Sequence, residues 1–238
     1  VGRFTTKITS KQQKKSLNNL ADTTVAILSA GVGSRIKSYE PRSLIKIGNK
    51  TLLEHQISTI SQCFGFPEII TVVGYRADKI AKKMRGSVRI VENQIHETTN
   101  TSESMRLAFN NSMKNNFLFM HGDLYFNENT LKNLDYDKSF VLVDSQGMMD
   151  HKEVGLTIVN QNATIFSYGL KTKWCQIAYI TGREIKILKN IFNKFEPTQK
   201  KMLSFEILNK MISMGANFKC YEPENMSITE IDRIKDLN

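Results

Sequence analysis

"AILSAGVGSRIKSYEPRSLIKI", residues Ala26 to Ile47, runs a short apolar stretch straight into two glycines, a serine and an arginine, and then into a Pro-Arg pair. An apolar run of this length closed by glycine reads as a buried strand. Just beyond it the period becomes helical, with Leu52, Leu53, Gln56, Ile57 and Ile60 recurring through "TLLEHQISTISQCF". Gly31 and Gly33 let the backbone approach a ligand where any side chain would collide, and N–H groups there can point at phosphate oxygens. Arg35 adds a planar cation suited to a triphosphate. The same residues also serve as a plain turn from strand to helix. They form neither a Rossmann fingerprint, which needs a third glycine, nor a Walker A loop, which needs a closing GK[ST].

Outward from this stretch, strand-like and helix-like segments alternate. "EIITVVGY", "VRIVEN", "NFLFMHGDL" and "SFVLVD" read as strands, and "ADKIAKKMR", "TSESMRLAFNNSM" and a short "ENTLKNL" as helices between them. Such alternation predicts a mostly parallel sheet with helices on both faces, and ligands bind such sheets at the carboxyl ends of the strands. After Asp144, "VGLTIVNQNATIFSYGLK" reads as a hairpin laid beside the sheet. "WCQIAYITGREIKILKNIF" then returns to strand and helix, "SFEILNKMISMG" is a helix, and "FKCYEPENMSITEID" is a closing strand and loop. Residues 1–22 are polar and read as a flexible or loosely helical lead-in to one domain over residues 23–238.

Composition narrows the function classes. The net charge of +10 is partly concentrated in the first fifteen residues, and the remainder lacks the basic-aromatic motifs of nucleic-acid modules. Nucleic acid is therefore not the expected partner, and an anionic small substrate is. No stretch approaches the roughly 18–20 apolar residues of a membrane span. Cys63, Cys175 and Cys220 are far apart and odd in number, which predicts reduced thiols and a cytoplasmic setting rather than disulfides or structural zinc. A chain that begins with Val rather than Met, without a charged-then-apolar leader, leads us to expect no secretory signal and a possible upstream or fused partner domain.

The longer string "SAGVGSRIKSYEPRSLIKIGNKTLLEHQI" resembles the signature of the nucleotidyltransferases that activate sugar phosphates and phospho-alcohols. In that signature an apolar strand is followed by [AG]-[AG]-G-x-G-[ST]-R, a gap, Pro-Lys-x-Leu, and I-x-G-[KR]-x-[LM]-[LI]. Ala30, Gly31, Gly33, Ser34, Arg35, Pro41, Leu44, Ile47, Lys50 and Leu52 stand at its positions. Downstream, "VVGYRADKI", "NTSES", "FMHGDLYF" and "ITEIDRIKDL" resemble further blocks of the same superfamily, over nearly all of residues 23–238.

The resemblance implies a Rossmann-like three-layer αβα nucleotidyltransferase fold, with a mostly parallel, mixed sheet and a small β-hairpin excursion. It implies attack by a phosphomonoester on the α-phosphorus of a nucleoside triphosphate, with release of pyrophosphate. The "NTSES" box leans toward the branch that transfers CMP from CTP to phosphocholine, phosphoethanolamine or 2-aminoethylphosphonate, a source of phospholipid or cell-surface precursors. The alternatives are a sugar-1-phosphate acceptor, or a catalytically lapsed nucleotide-binding module.

By the same resemblance the nucleotide is held by Ser29, Ala30, Gly31, Val32, Gly33, Ser34, Arg35, Gly74, Asn100, Thr101, Ser104 and Gly122, and Asp123 and Asp232 share a Mg²⁺ cofactor. Arg35, Arg42, Lys46, Lys171 and Lys173 are the implied catalytic cations, with Arg42 standing where the pattern has lysine. Local readings stay open beside these: Asp123 as a turn cap, Asp232 as the N-cap of "RIKDL", Asn100 and Ser104 as helix-cap and helix-surface residues, and Lys171 and Lys173 as solvated loop lysines. For an acceptor ammonium, Glu97, Glu103, Asp144, Asp150, Tyr168 and Trp174 are unranked candidates. Trp174 and Tyr179 equally suit core packing, and His121 suits a packed strand.

Overall fold

The computed structural model describes residues 18–31, 41–65, 67–84, 86–147 and 149–231. Its centre is β1 (Thr23–Ser29), buried on both faces and flanked by β4 (Glu68–Val73) and β6 (Asn116–His121), both parallel to it. Alternation along β1 divides the core. Val25 and Ile27 pack with α1 (Leu52–Phe64) and α2 (Ala77–Lys83), whereas Ala26 and Leu28 pack on the opposite side with α3 (Thr101–Asn110), α4 (Gly182–Asn193) and α5 (Ser204–Ser213). A central strand hidden on both faces has no polar side to show, which is why it reads as an unbroken apolar run.

The remaining strands are β2 (Lys46–Ile47), β3 (Lys50–Thr51), β5 (Arg89–Glu92), β7 (Leu124–Phe126), β8 (Phe140–Asp144), β9 (Val154–Val159), β10 (Asn162–Tyr168), β11 (Thr172–Ile180), β12 (Lys219–Tyr221) and β13 (Ile228–Glu230). The main sheet runs β5-β4-β1-β6-β11-β8-β12-β10-β9. It is parallel from β5 to β6 and becomes mixed where β11 enters antiparallel to both β6 and β8. From β1 the chain moves outward to β4 and β5, then returns to the other side of β1 as β6. Strand order therefore reverses between the ends of β1 and β6, which opens a crevice there.

Three details differ from expectation. The β9–β10 hairpin is not laid beside the sheet but belongs to it, β10 pairing with β12 and β9 with both β10 and β11, and its turn residues Asn160 and Gln161 have φ of 50° and 63°, the backbone twist that matches a tight hairpin. "ENTLKNL" is only a 3-10 turn over Glu128–Thr130, and Asn133 soon afterwards has a left-handed φ of 59°, which a helix cannot continue through. The closing segment adds β13 against β7 in a separate two-stranded ladder. Ahead of β1, the Asn19 side-chain amide donates to Tyr136 O at 2.8 Å and Asp137 Oδ1 at 2.9 Å, which ties residues 18–22 to the body. Among the described residues no helix is long and apolar enough to cross a membrane.

The start of α1 is fixed by a capping box in which Thr51 Oγ1 accepts from Glu54 N and Glu54 Oε2 accepts from Thr51 N at 2.7 Å. The Thr51 backbone N–H holds the Glu54 carboxyl below its ordinary value of 4.5, with smaller help from Thr51 Oγ1 and Lys83. A depressed carboxylate stabilises the folded state above the unfolded pKa and loses that contribution as pH falls through the folded one. Glu54→Gln keeps an acceptor but does not titrate. We expect its stability, followed by urea melts, to fall less steeply than wild type as pH drops below about 4.5; parallel curves would remove Glu54 from the acid response.

Candidate active site

The crevice between β1 and β6 is an open cavity of about 580 Å³ at the carboxyl ends of the parallel strands. Ser29 and Gly31 line it from the end of β1, Gly122 and Asp123 from the end of β6, and Asn100 and Thr101 from the start of α3. Arg42, on the 3-10 turn that Pro41 initiates, closes one side, and Glu230 at the end of β13 another. A smaller recess of about 60 Å³ opens beside it, where Ala30, Gly31, Asn93 and Ser104 meet. Seven residues implied by the resemblance thus share the main cavity, and Ala30 and Ser104 reach the recess. Val32, Gly33, Ser34, Arg35 and Asp232 lie outside the described residues.

Each wall has a local cause. A side chain on Gly31 would meet nothing within 4 Å, so its backbone faces open space. A Cβ on Gly122 would lie 1.9 Å from Ser29 Oγ, so only glycine lets the ends of β1 and β6 approach this closely. Gln56, read from the sequence as part of the helix pattern, is buried on α1, and its amide donates to His121 O at 3.0 Å and Leu124 O at 2.9 Å. It thereby clamps the loop that carries Asp123 from both sides. Asn100 caps α3 by accepting from Thr101 N at 2.9 Å, while Thr101 Oγ1 accepts from Ser204 N at 2.7 Å.

Gly74 does not line either cavity; it buttresses them. A Cβ there would lie 2.6 Å from His96 Cβ and 2.7 Å from the Ala30 carbonyl oxygen, and neither atom can swing away. Gly74→Ala is expected to cost about 2 kcal/mol, a Tm lower by roughly 4–8 °C. Calorimetry checks this, and an unchanged Tm would mean that the β1 end gives way freely.

Charge is concentrated at one contact. Arg42 Nη1 donates to Asp123 Oδ2 at 2.7 Å, and both side chains are largely shielded from water. The other oxygen, Asp123 Oδ1, is buried and takes no hydrogen bond from the described residues, an uncommon state for a carboxylate and one that a hard cation with oxygen ligands would relieve. Among the described residues there is no cluster of three or more His, Cys, Asp or Glu side chains with metal-binding geometry. Asp123 therefore fits as one ligand of such an ion and does not form a complete set within the described chain. The His121 imidazole contacts Ser204 Oγ at 2.9 Å and packs edge-on to Trp174. Burial pushes it below its ordinary pKa, against the opposing pull of Asp123, so it is a neutral packing residue at neutral pH.

Other candidates lie elsewhere. Lys46 is exposed on β2, Lys171 is exposed beside the β9–β10 hairpin, and Lys173 is held in an ion pair by Glu153; none lines the cavity. Of the residues read for an acceptor ammonium, Glu97 lines the cavity, whereas Glu103 is buried in a two-pronged ion pair with Arg106. Asp144 accepts the backbone N–H groups of Gln146 and Gly147, Asp150 and Tyr168 are surface residues, and Trp174 and Tyr179 are core. Four neighbours of the site carried no signal in the sequence reading: Asn93, which donates to Thr99 Oγ1 at 3.1 Å, His96, Gln176 and Glu230. Their roles depend on loop packing, which no local spacing encodes.

Residues 25–136 match the family model described as the MobA-like NTP transferase domain. A curated relative, the bifunctional protein GlmU of Koribacter versatilis, is 35% identical over 69 residues, which is 29% of this chain and 15% of that protein. The chain thus spans a small part of the length of the relatives it matches. Solved structures superpose over nearly the whole chain. An inositol-1-phosphate CTP transferase from T. maritima has a TM-score of 0.76 and 19% identity, covering 92% of each chain. The CTP:phosphocholine cytidylyltransferase LicC of Streptococcus pneumoniae has a TM-score of 0.71 and 20% identity, covering 90% of this chain and 96% of that one. At these identities the superpositions establish the αβα nucleotidyltransferase fold.

Proposed function

We propose that this chain, whose residues 25–136 match the family model of the MobA-like NTP transferase domain and whose fold is that of nucleotidyltransferases, transfers CMP from CTP to a small phosphorylated amino-alcohol or phosphonate and releases pyrophosphate. The observation that carries the reading is the pairing, across one cavity, of backbone open to a ligand at Gly31 with the orphaned buried oxygen of Asp123 and the Arg42 guanidinium.

In this reaction an acceptor phosphate oxygen bonds to the α-phosphorus while the bond from that phosphorus to the oxygen bridging it to the β-phosphate breaks, and the electron pair leaves with pyrophosphate. The nucleophile is already an anion, so the protein needs to align it and offset charge rather than remove a proton. That need agrees with the His121 imidazole, which burial keeps neutral and which is hydrogen-bonded to Ser204. Gly31 and the residues after it would offer N–H groups to the phosphates, and Arg42 would face the charge that builds on the transferred phosphoryl group. Asp123, with Asp232 from the closing segment, would hold Mg²⁺, which when bound screens phosphate charge and draws the two substrates together. A reducing cytoplasm is the proposed setting, supported by three free thiols.

One observation favours a second acceptor class. The aromatic residues read for an ammonium are packed in the core or at the surface, and carboxylates line the cavity instead, including Glu97 and Glu230. Carboxylates also accept from the hydroxyls of a sugar or ring-alcohol phosphate. Pyrophosphate release with Mg²⁺ decides between them, testing CTP, UTP, GTP and ATP against phosphocholine, phosphoethanolamine, 2-aminoethylphosphonate and sugar-1-phosphates. Turnover with CTP and an amino-alcohol phosphate supports the reading; turnover only with a sugar phosphate replaces its acceptor; silence with every pair, from protein that still binds nucleotide, replaces it with a lapsed binding module.

A further inference from the structure

Gln176 lies in the middle of β11 and yet has a left-handed φ of 58°, a strained backbone state for a non-glycine residue and one that recurs at functional sites. Pairing of β11 with β8 shifts register between Trp174 and Ala178, so Gln176 sits on a β-bulge. The bulge aims its side chain at the cavity rim, where Nε2 donates to Glu230 Oε2 at 2.7 Å. The next residue, Ile177, pairs with Met120 of β6, three residues before Asp123. Immediately beyond Glu230, Ile231 N donates to Asp123 O at 2.7 Å. One strained residue, on the strand that pairs with β6, therefore holds by its amide the end of β13, and these two segments supply the acidic side of the cavity.

We propose that Gln176 is a positioning residue: its amide sets Glu230 and the closing segment against the end of β6, and so fixes the spacing at which the cavity carboxylates receive a divalent cation. This rests on the reading of Asp123 as a cation ligand. The bulge supplies the reach, since a regular strand would send this side chain to one face of the sheet rather than toward its end. The cost of the backbone strain is offset by a hydrogen bond to a charged carboxylate.

The test uses Gln176→Gly in the full chain. Glycine adopts the left-handed conformation without strain, which offsets the loss of the side chain, so the fold is expected to melt near the wild-type temperature. Binding of Mn²⁺ alone, followed by the loss of its free-ion paramagnetic resonance signal, is expected to weaken by about tenfold or more, the range seen when partners of metal ligands are removed. Gln176→Asn tolerates the same φ but is one methylene too short to reach Glu230; it should weaken Mn²⁺ similarly, and it serves if the glycine variant fails to fold. Unchanged Mn²⁺ affinity in a folded variant overturns the inference, as does a wild type that binds no Mn²⁺. Wild type that binds Mn²⁺ but turns over no acceptor overturns the transferase reading and leaves this one standing on the affinity comparison.

Discussion

Asp123→Asn is expected to reduce pyrophosphate release by about a thousandfold while circular dichroism and cooperative melting remain those of a folded protein. The argument is electrostatic and local. Asp123 has one oxygen engaged by Arg42 and the other buried with no hydrogen-bond donor among the described residues. A carboxylate kept in that state by the fold, with its loop pinned by Gln56 on either side, is poised for a ligand rather than for packing. The asparagine amide keeps the size and removes the charge that attracts a cation. If Asp123 only capped a turn, turnover in the variant would match wild type, and its assignment as a cation ligand would fall.

Arg42 is expected to separate binding from turnover. In the free protein its guanidinium is the resident counter-ion of Asp123 at 2.7 Å, so it competes with any cation for that oxygen. Arg42→Ala should therefore bind Mn²⁺ severalfold more tightly in the absence of nucleotide, yet lose about a hundredfold in turnover, since the charge facing the transferred phosphoryl group is gone. Arg42→Lys keeps a point charge on a shorter, unforked side chain, and should hold turnover within about tenfold of wild type. Parallel Mn²⁺ titration and pyrophosphate assays read both effects. Full turnover by Arg42→Ala would remove this residue from the reaction, and weaker Mn²⁺ binding by it would show that the guanidinium assists rather than competes.

Much of the fold was legible because its signals are local. The unbroken apolar run of β1, the spacing of Leu52, Leu53, Gln56 and Ile60 on α1, and the alternation of strands with helices each follow from whether a face is buried. The short "ENTLKNL" helix was misread because propensity there is overridden by the left-handed Asn133. The hairpin's membership of the sheet was not visible because a hairpin pattern specifies its own turn and not the strand it lies against. Within the site, Gly31 could be named from its place after the first strand, whereas Asn100 and Asp123 were named through the resemblance, since their local context equally suits a helix cap and a turn cap. Lys46, Lys171 and Lys173 were equally plausible on charge alone, and only their distance from the crevice, across folded chain, separates them from Arg42.

The sequence by itself determined the layered α/β architecture and the glycine that follows the first strand, because hydrophobic period and glycine's small size act over a few residues. Tertiary structure alone decided that Arg42 meets Asp123, that Gln56 clamps the loop, and that Gln176 reaches Glu230 across 54 positions of chain. Those contacts join residues far apart in sequence, and their energies depend on desolvation and on distances of a few ångströms, quantities that exist only once the strands have been brought side by side.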